Sequence, residues 1–293
     1  MITILTPTYN RAYILNDAFR SLCMQTSFEF EWIIIDDGST DNTEEMVNTW
    51  LAESMPFAIR YFKQQNGGKH RAINKGVNLA KSDYILILDS DDFLEIDAVS
   101  IIHKWIKSIE GLEKFAGVAG LKGWKEKKEA IGSSISNDYI DATNLERKKY
   151  NLLGDKAEIY KTEVLKKYPF PEFEGENFIR ESAVWDCIAK DGYKLRWFNR
   201  IIYRCEYQDD GLTKGVNELV YAKNFKGFTY CTKLQMQTQK FPYKHLKIGF
   251  YAKVAHSKRI SDSEILSLLC VGKTDLIIGK FAYFANCLLK KVG

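Results

Sequence analysis

Short apolar runs alternate with helix-like patterns through the first third of the chain. Four of these runs have the length and composition of buried strands, namely Ile2 to Thr6, Trp32 to Ile35, Ala58 to Phe62 and Tyr84 to Leu88. Between them, apolar residues recur at helical spacing, as at Ile14, Ala18 and Leu22. Strands separated by helices pair in parallel through right-handed crossovers. The pattern therefore predicts an α/β fold with a Rossmann-like, mostly parallel central sheet flanked by helices.

Polar residues follow three of these strands at the point where each strand ends. Thr8-Tyr9-Asn10-Arg11 follows the first strand, Asp36-Asp37-Gly38-Ser39 the second, and Asp89-Ser90-Asp91-Asp92 the fourth. In parallel sheets, ligands bind beyond the carboxyl ends of the strands. The sequence therefore predicts a ligand site, rich in carboxylates, at one edge of the sheet.

Adjacent aspartates on a turn repel each other unless a cation or hydrogen-bond donors neutralise them. Carboxylate oxygens suit Mn²⁺ or Mg²⁺, which bind through one or two carboxylates together with the phosphates of a ligand. An EF-hand is excluded, because Leu94 and Ser100 occupy the positions where that loop needs Gly and Glu. A strand-to-helix turn with capping aspartates is the alternative interpretation of these four residues.

The common glycine-rich phosphate loops are absent from the sequence, since it has neither a Walker A sequence nor a G-x-G-x-x-G after a strand. Gly67 and Gly68 instead precede a basic helix start, Lys69-His70-Arg71, where an anion would be favoured. A carboxylate at Asp37 could accept a hydrogen bond from a base N–H. A diphosphate bound at this edge is therefore expected to need a metal ion.

Taken together, the segments resemble the family 2 glycosyltransferases of the GT-A fold. The resemblance rests on Thr6-Pro7-Thr8-Tyr9-Asn10, Ile35-Asp36-Asp37-Gly38-Ser39, Asn74-Lys75-Gly76 and Leu88-Asp89-Ser90-Asp91-Asp92, in that order. It covers roughly the first 110 residues. It implies an inverting, metal-dependent transferase that uses a nucleotide-diphosphate sugar, commonly a UDP-sugar.

The resemblance also implies a role for each matching residue. Asp37 would read the base, and Asp91 would coordinate the Mn²⁺ or Mg²⁺ ion that bridges the diphosphate. The other residues implied in nucleotide-sugar binding are Pro7, Tyr9, Arg11, Lys69, Asp89 and Ser90.

Inverting transfer needs one carboxylate to take the proton from the acceptor hydroxyl. The family usually carries a Glu-Asp pair before an apolar helix, and the nearest match here is Glu181-Ser182, in which serine replaces the aspartate. Glu181 is therefore the candidate base and Asp186 the alternative. Trp185 shares the helix face of Glu181 and could stack on a sugar. Another polar cluster, Glu206 with Asp209 and Asp210, resembles a family loop that closes over the donor.

Charge is distributed unevenly along the chain. Residues 215–293 contain 13 Lys and Arg against 4 Asp and Glu, a net charge of +9, so residues 1–214 carry −5 of the overall +4. We therefore expect a transferase domain over residues 1–214 and a basic, aromatic-rich, mainly helical region over residues 215–293. A basic, aromatic surface suits peripheral contact with an anionic membrane. A solvated helical cap is the alternative, and a nucleic-acid partner is not expected.

The remaining features concern cellular location and the type of transfer. The six cysteines show no Cys-x-x-Cys pairing, the N-terminus has no signal-peptide pattern, and no spanning helix is apparent, so we expect a cytoplasmic protein at the inner face of the membrane. The Gln-x-x-Arg-Trp sequence of processive synthases is absent. We therefore expect transfer of a single sugar to a glycan or polyprenyl-linked glycan in bacterial surface-polysaccharide synthesis. A non-catalytic nucleotide-sugar-binding module and a sugar-nucleotide pyrophosphorylase are the alternatives.

Overall fold

A computed structural model describes residues 1–206, 208 and 217–292 of the 293-residue chain. The chain divides into two compact units. The first contains Met1–Phe170 and Ile188–Gln208, and the second contains Pro171–Cys187 and Asp209–Gly293. The predicted boundary at residues 214 and 215 lies outside the described residues.

A nine-stranded sheet forms the centre of the first unit. Its strands are β1 (Ile2–Thr8), β2 (Phe30–Asp36), β3 (Ala58–Lys63), β4 (Tyr84–Ile87), β5 (Phe93–Leu94), β6 (Phe115–Trp124), β7 (Tyr139–Ala142), β8 (Lys156–Lys161) and β9 (Lys194–Cys205). They are ordered β3-β2-β1-β4-β8-β6-β9-β5, and β7 pairs with β9. The four strands that the sequence predicts are the first four of the structure, and each lies within two residues of its predicted bounds at either end.

Strand direction brings the polar strand ends to one edge of the sheet. β3, β2, β1 and β4 are parallel neighbours, as predicted. The other half of the sheet is mixed, because β8 runs antiparallel to both β4 and β6, whereas β6 and β9 are parallel. β6 therefore runs in the same direction as β4, and the ends of β1, β2, β4, β6 and β9 share an edge, which we call the carboxyl edge.

Helices cover this sheet because their apolar faces need burial. They are α1 (Leu15–Cys23), α2 (Thr43–Leu51), α3 (Lys69–Leu79), α4 (Ala98–Lys107) and α5 (Thr162–Lys167), with one 3₁₀ turn at Asn144–Glu146. A cluster of three stacked aromatic rings packs α1 and α2 on the sheet, with centroid distances of 6.1 Å from Phe19 to Trp32, 4.2 Å from Phe19 to Trp50 and 5.6 Å from Trp32 to Trp50.

Gly76 explains why α3 lies so close to β1. A Cβ atom on Gly76 would come within 2.1 Å of Leu5 Cδ1. The absence of a side chain at this position therefore lets the helix pack directly on the strand that ends at Thr8.

The second unit is helical. The helices are α6 (Ser182–Lys190), which begins in this unit, and α7 (Glu218–Lys223), α8 (Phe225–Thr238), α9 (Tyr243–Ser257), α10 (Asp262–Leu269) and α11 (Lys273–Val292). Its apolar core centres on Phe228, Ile248 and Tyr251. In residues 1–206, 208 and 217–292, none of the helices combines the length and hydropathy needed to cross a membrane.

Candidate functional site

The end of β1 is tied to the loop after β2 through Asn10. Its backbone N–H donates to Ser39 Oγ at 2.9 Å, and its Oδ1 accepts from the Thr40 N–H at 2.8 Å. Asn10 adopts φ 51°, a left-handed conformation that asparagine tolerates better than most residues. Pro7 is buried within β1, whereas the Tyr9 side chain is 47% exposed at the carboxyl edge.

Asp37 is buried and its carboxylate is occupied by hydrogen bonds within the protein. Oδ1 accepts from Gln64 Nε2 at 2.7 Å and from the Gly67 N–H at 3.0 Å, and Oδ2 accepts from the Gly68 N–H at 2.7 Å. A carboxylate accepts about four hydrogen bonds in all, so about one acceptor position remains for a ligand. The sequence indicated a base-reading role for Asp37, and the structure adds that this residue holds the loop that leads into α3.

The two glycines before α3 donate their backbone N–H groups to a carboxylate of the protein, Asp37. Gly68 adopts φ 100° as the residue before the helix, and its N–H points at Asp37. Asp37 is therefore one negative charge beside this helix start. Lys69, the first residue of α3, extends to the residues that follow β4.

Asp89 follows β4 and forms an ion pair with Lys69. Lys69 Nζ lies 2.6 Å from Asp89 Oδ1, and both side chains are about a quarter exposed, at 26% and 29%. Burial acts to raise the pKa of Asp89, but the ammonium groups of Lys69 and Lys122 outweigh it and hold that pKa below its usual range. Asp89 is therefore an ionised group at the carboxyl edge.

The next two carboxyl groups are affected in the opposite direction. Burial and the nearby charge of Asp89 raise the pKa of Asp91, although the positive charges of Arg11 and Lys69 partly oppose the shift. Burial, reinforced by Asp89 and Asp91, raises the pKa of Asp92 to about 8. The turn thus crowds three carboxyl groups, and burial together with their mutual repulsion makes Asp91 and Asp92 harder to ionise than Asp89.

Tyr203 and Lys122 support this turn from distant strands, and the sequence analysis did not identify either. The Tyr203 hydroxyl accepts from the Asp89 N–H at 2.9 Å and donates to the Asp92 carboxylate. Lys122 Nζ lies 4.0 Å from Asp92 Oδ2 and 4.0 Å from the centroid of the Tyr203 ring. The sequence did contain one indication of this support, the lysine at position 122 within the otherwise apolar strand β6. A charge buried in a sheet requires a partner of opposite charge or a hydrogen-bond acceptor.

Divalent-metal binding can be tested against these side chains. Among the described residues, no group of three or more His, Cys, Asp or Glu side chains is arranged to hold a metal ion. Mg²⁺ and Mn²⁺ commonly bind through one or two carboxylates, water and substrate phosphates, so a complete protein cage is not required. The half-buried Asp91, with its pKa raised by a neighbouring carboxylate, fits such an incomplete site.

Glu181 and Trp185 belong to the second unit, separately from the residues above. Glu181 precedes α6, and its carbonyl oxygen accepts from the Val184 and Trp185 backbone N–H groups at 2.9 and 3.2 Å. Its side chain is partly exposed, whereas Trp185 is only 8% exposed and Asp186 only 9%. Little of the indole is thus available for the sugar stacking that the sequence suggested. Glu206 is exposed, and Asp209 and Asp210 lie outside the described residues.

Three known proteins show what this chain is similar to. Glycosyltransferase GlyG of Streptococcus pneumoniae is 32% identical over 108 residues, which are 36% of this chain and 35% of GlyG. The crystal structure of S. aureus TarS 1-349 in complex with UDP-GlcNAc matches at TM-score 0.64 and 19% identity, covering 96% of this chain and 79% of that one. A mannosyltransferase from Pyrobaculum calidifontis in complex with GDP-Man and Mn²⁺ matches at TM-score 0.54 and 16% identity, covering 97% and 86%.

The structural similarities confirm the predicted α/β fold of the GT-A type with its C-terminal helices. The match to GlyG spans about a third of that relative, so it shows a shared segment rather than a common activity. The sequence profile described as "Glycosyl transferase family 2" matches residues 3–152, which is just over half of the chain and includes β1 to β4 and the Asp89–Asp92 turn. The chain therefore belongs to glycosyl transferase family 2.

Proposed function

We propose that the protein is an inverting, metal-dependent glycosyltransferase that moves one sugar from a UDP-sugar to an acceptor hydroxyl. The observation that carries this proposal is the crowded Asp89–Asp92 turn at the carboxyl edge. There three crowded carboxyl groups, two of them with raised pKa values, lie beside Lys69, whose ammonium group is 2.6 Å from Asp89. A diphosphate together with a divalent cation matches this mixture of charges.

On the donor side, the proposed residues contact the base, the rest of the nucleotide and the diphosphate with its metal ion. Pro7, Tyr9 and Arg11 line the nucleotide pocket, and Asp37 uses its remaining acceptor position for a base N–H. Asp89 and the buried Ser90 contact the donor beside Lys69. Asp91 would hold Mn²⁺ or Mg²⁺, which as a Lewis acid would offset the charge on the departing diphosphate.

In the proposed transfer step, Glu181 accepts the proton of the acceptor hydroxyl. The hydroxyl oxygen forms a bond to the anomeric carbon while the bond from that carbon to the diphosphate oxygen breaks on the opposite side. UDP leaves, and the configuration at the anomeric carbon is inverted. Lys69 and Arg11 stabilise the negative charge that develops on the leaving group. Trp185 is retained as the candidate for contact with the acceptor sugar, through the small part of its ring that is exposed.

For the acceptor, we propose a glycan or polyprenyl-linked glycan used in bacterial surface-polysaccharide synthesis at the cytoplasmic face of the membrane. In this proposal residues 1–214 carry the transferase activity, and the basic residues 215–293 provide peripheral membrane contact. The excess of 13 basic over 4 acidic side chains in that region supports the assignment.

The proposal is tested by UDP release from a panel of UDP-sugars, with Mn²⁺ or with EDTA. We expect release that depends on the metal and that falls by about 10²-fold or more in Asp91→Asn, because the group that offsets leaving-group charge is lost. Asp83→Asn is the matched control, since Asp83 is exposed and precedes the same strand, β4, at its other end. Full activity in EDTA, or equal losses in the two variants, would contradict the assignment of Asp91.

Glu181→Gln tests the base separately. We expect transfer to fall by about 10²–10⁴-fold while UDP and Mn²⁺ binding is retained, because only proton removal is affected. Near-normal transfer in this variant removes Glu181 from the mechanism. UDP binding by the wild-type chain without turnover of any UDP-sugar would instead support a non-catalytic binding module.

A further inference from the structure

A line of large apolar side chains lies exposed along the C-terminal helix α11. Ile277, Phe281, Phe284 and Leu288 are 67%, 74%, 61% and 50% exposed. Their spacing of four, three and four residues places them on one face of the helix. We call these four residues the apolar stripe. At 1.5 Å per residue the stripe is about 16 Å long. A contiguous exposed surface of this kind marks an interaction site rather than a chance arrangement of single residues.

The opposite face of α11 accounts for the orientation of the stripe. Gly279 of α11 packs directly against Gly249 of α9. The two helices are so close here that a Cβ atom on Gly249 would lie 2.1 Å from the Gly279 carbonyl oxygen. Leu276 on the same face is buried at 3% exposed. α11 is therefore fixed to the second unit by its glycine-containing face, and the apolar stripe remains outward. The helix is amphipathic and does not meet the requirements for a membrane span.

A second exposed apolar group lies at the same end of the unit. Phe241 is 73% exposed and Tyr243 is 50% exposed, immediately before and at the start of α9. The first turns of α9 and α11 are neighbours, because His245 Nε2 lies 3.1 Å from Asp275 Oδ1. Aromatic side chains of this kind are favoured at the boundary between lipid headgroups and hydrocarbon.

The charges around the stripe indicate which partner it fits. All four carboxylates of residues 215–293 already have partners inside the unit, so the excess cationic charge is not neutralised locally. Glu218 contacts Lys253, Asp262 contacts Lys280, Asp275 contacts His245, and Glu264 accepts from Ser261. Lys240 and Lys273 are both exposed, one residue from Phe241 and four residues before Ile277. An apolar stripe beside uncompensated lysines is complementary to an anionic lipid surface.

We propose that α11 lies in the plane of an anionic membrane, with the apolar stripe and Phe241 inserted among the lipid headgroups and the lysines at the phosphates. A second copy of the chain is a poorer partner, because it would bring two regions of net charge +9 together. The inference deepens the membrane contact in the proposed function, since it identifies the surface that makes the contact. It does not depend on which sugar is transferred.

Vesicle flotation of the full chain tests the proposal. We expect binding to vesicles of phosphatidylcholine with phosphatidylglycerol and much weaker binding to phosphatidylcholine alone, with the difference reduced at high salt. In Phe281→Ser/Phe284→Ser, partitioning onto the anionic vesicles should fall at least about ten-fold, because two exposed aromatic side chains no longer insert. In Lys240→Gln/Lys273→Gln it should fall by about five-fold for each lysine removed.

The matched control is Ile96→Ser/Leu219→Ser, which removes two apolar side chains that are 58% and 71% exposed but lie outside α11. This control should float as the wild type does. Far-ultraviolet circular dichroism and UDP-sugar turnover without vesicles, measured on every variant, separate loss of folding or of catalysis from loss of membrane binding.

Three results would overturn the inference. The first is a wild-type chain that does not float with anionic vesicles, and the second is equal flotation of the wild type and Phe281→Ser/Phe284→Ser. The third is a dimer in sedimentation velocity that Phe281→Ser/Phe284→Ser dissociates, combined with no vesicle binding, which would assign the stripe to a second copy. None of these results bears on metal-dependent UDP release, so the proposed transferase activity stands or fails independently, whereas the proposed membrane contact fails with this inference.

Discussion

Removing the Tyr203 hydroxyl tests whether the Asp89–Asp92 turn is held by strand β9. The change Tyr203→Phe deletes one oxygen atom and leaves the ring, which is fully buried beneath Lys122. That oxygen accepts the Asp89 N–H at 2.9 Å and donates to the Asp92 carboxylate. The substitution thus removes both hydrogen bonds without opening a cavity for a side chain.

The expected loss of stability follows from what each partner keeps. The backbone N–H of Asp89 loses its acceptor, and an unsatisfied buried group costs about 1–3 kcal/mol. Asp92 loses a donor but retains Lys122 4.0 Å away, so its contribution is smaller. We expect the unfolding free energy to fall by about 2–3 kcal/mol. Because a displacement of about 1 Å can cost about 100-fold in rate, kcat/KM for the UDP-sugar should fall by about 10–100-fold.

Urea denaturation followed by circular dichroism measures the first effect, and Mn²⁺-dependent UDP release measures the second. Tyr139→Phe is the control, since it makes the same chemical change on the neighbouring strand β7, where the side chain is 45% exposed. If the unfolding free energy of Tyr203→Phe is within about 0.5 kcal/mol of the wild-type value and the KM for the UDP-sugar is unchanged, the hydroxyl does not position the turn.

Two further predictions concern the stability of the first unit. Burial, together with the positive charge of Arg147, lowers the pKa of Lys156 to about 8 from the usual 10.5. Between pH 8 and pH 10.5 the unfolded state therefore binds more protons than the folded state. The stability of the wild type relative to Lys156→Met should therefore rise by about 3 kcal/mol from neutral pH to pH 10.5. Urea titrations that show a constant difference between the two proteins over this pH range would contradict this. Gly76→Ala places a methyl group 2.1 Å from Leu5 Cδ1 and should cost about 1–3 kcal/mol, outweighing a gain of about 1 kcal/mol in helix propensity. In a Leu5→Ala background, adding Gly76→Ala should cost much less, because the atoms that the new methyl group would meet are gone. A Gly76→Ala change that stabilises the otherwise wild-type protein would refute the close-packing explanation.

Local patterns in the sequence were sufficient to predict the first half of the sheet. Apolar runs marked β1 to β4, and the rule that ligands bind at the carboxyl ends of parallel strands then brought Arg11, Lys69 and Asp91 to one edge. The structure does bring these three charges together. The supporting residues could not be predicted in this way, because Tyr203 lies 114 residues from Asp89 in the chain. Within the sequence it is one more aromatic residue in an apolar strand.

Asp37 shows how a correct element assignment can still give an incomplete account of the chemistry. The sequence places a carboxylate at the end of β2 and a glycine-rich segment before α3, and each suggests a contact with the ligand. In the structure the carboxylate and the glycine-rich segment bind each other, since the Gly67 and Gly68 N–H groups donate to Asp37 at 3.0 and 2.7 Å. The carboxylate of Asp37 places a negative charge beside the start of α3, which opposes the approach of a phosphate to these two glycines. In the proposed function, the diphosphate charge is therefore neutralised by Lys69, Arg11 and a divalent cation rather than by the Gly67 and Gly68 N–H groups.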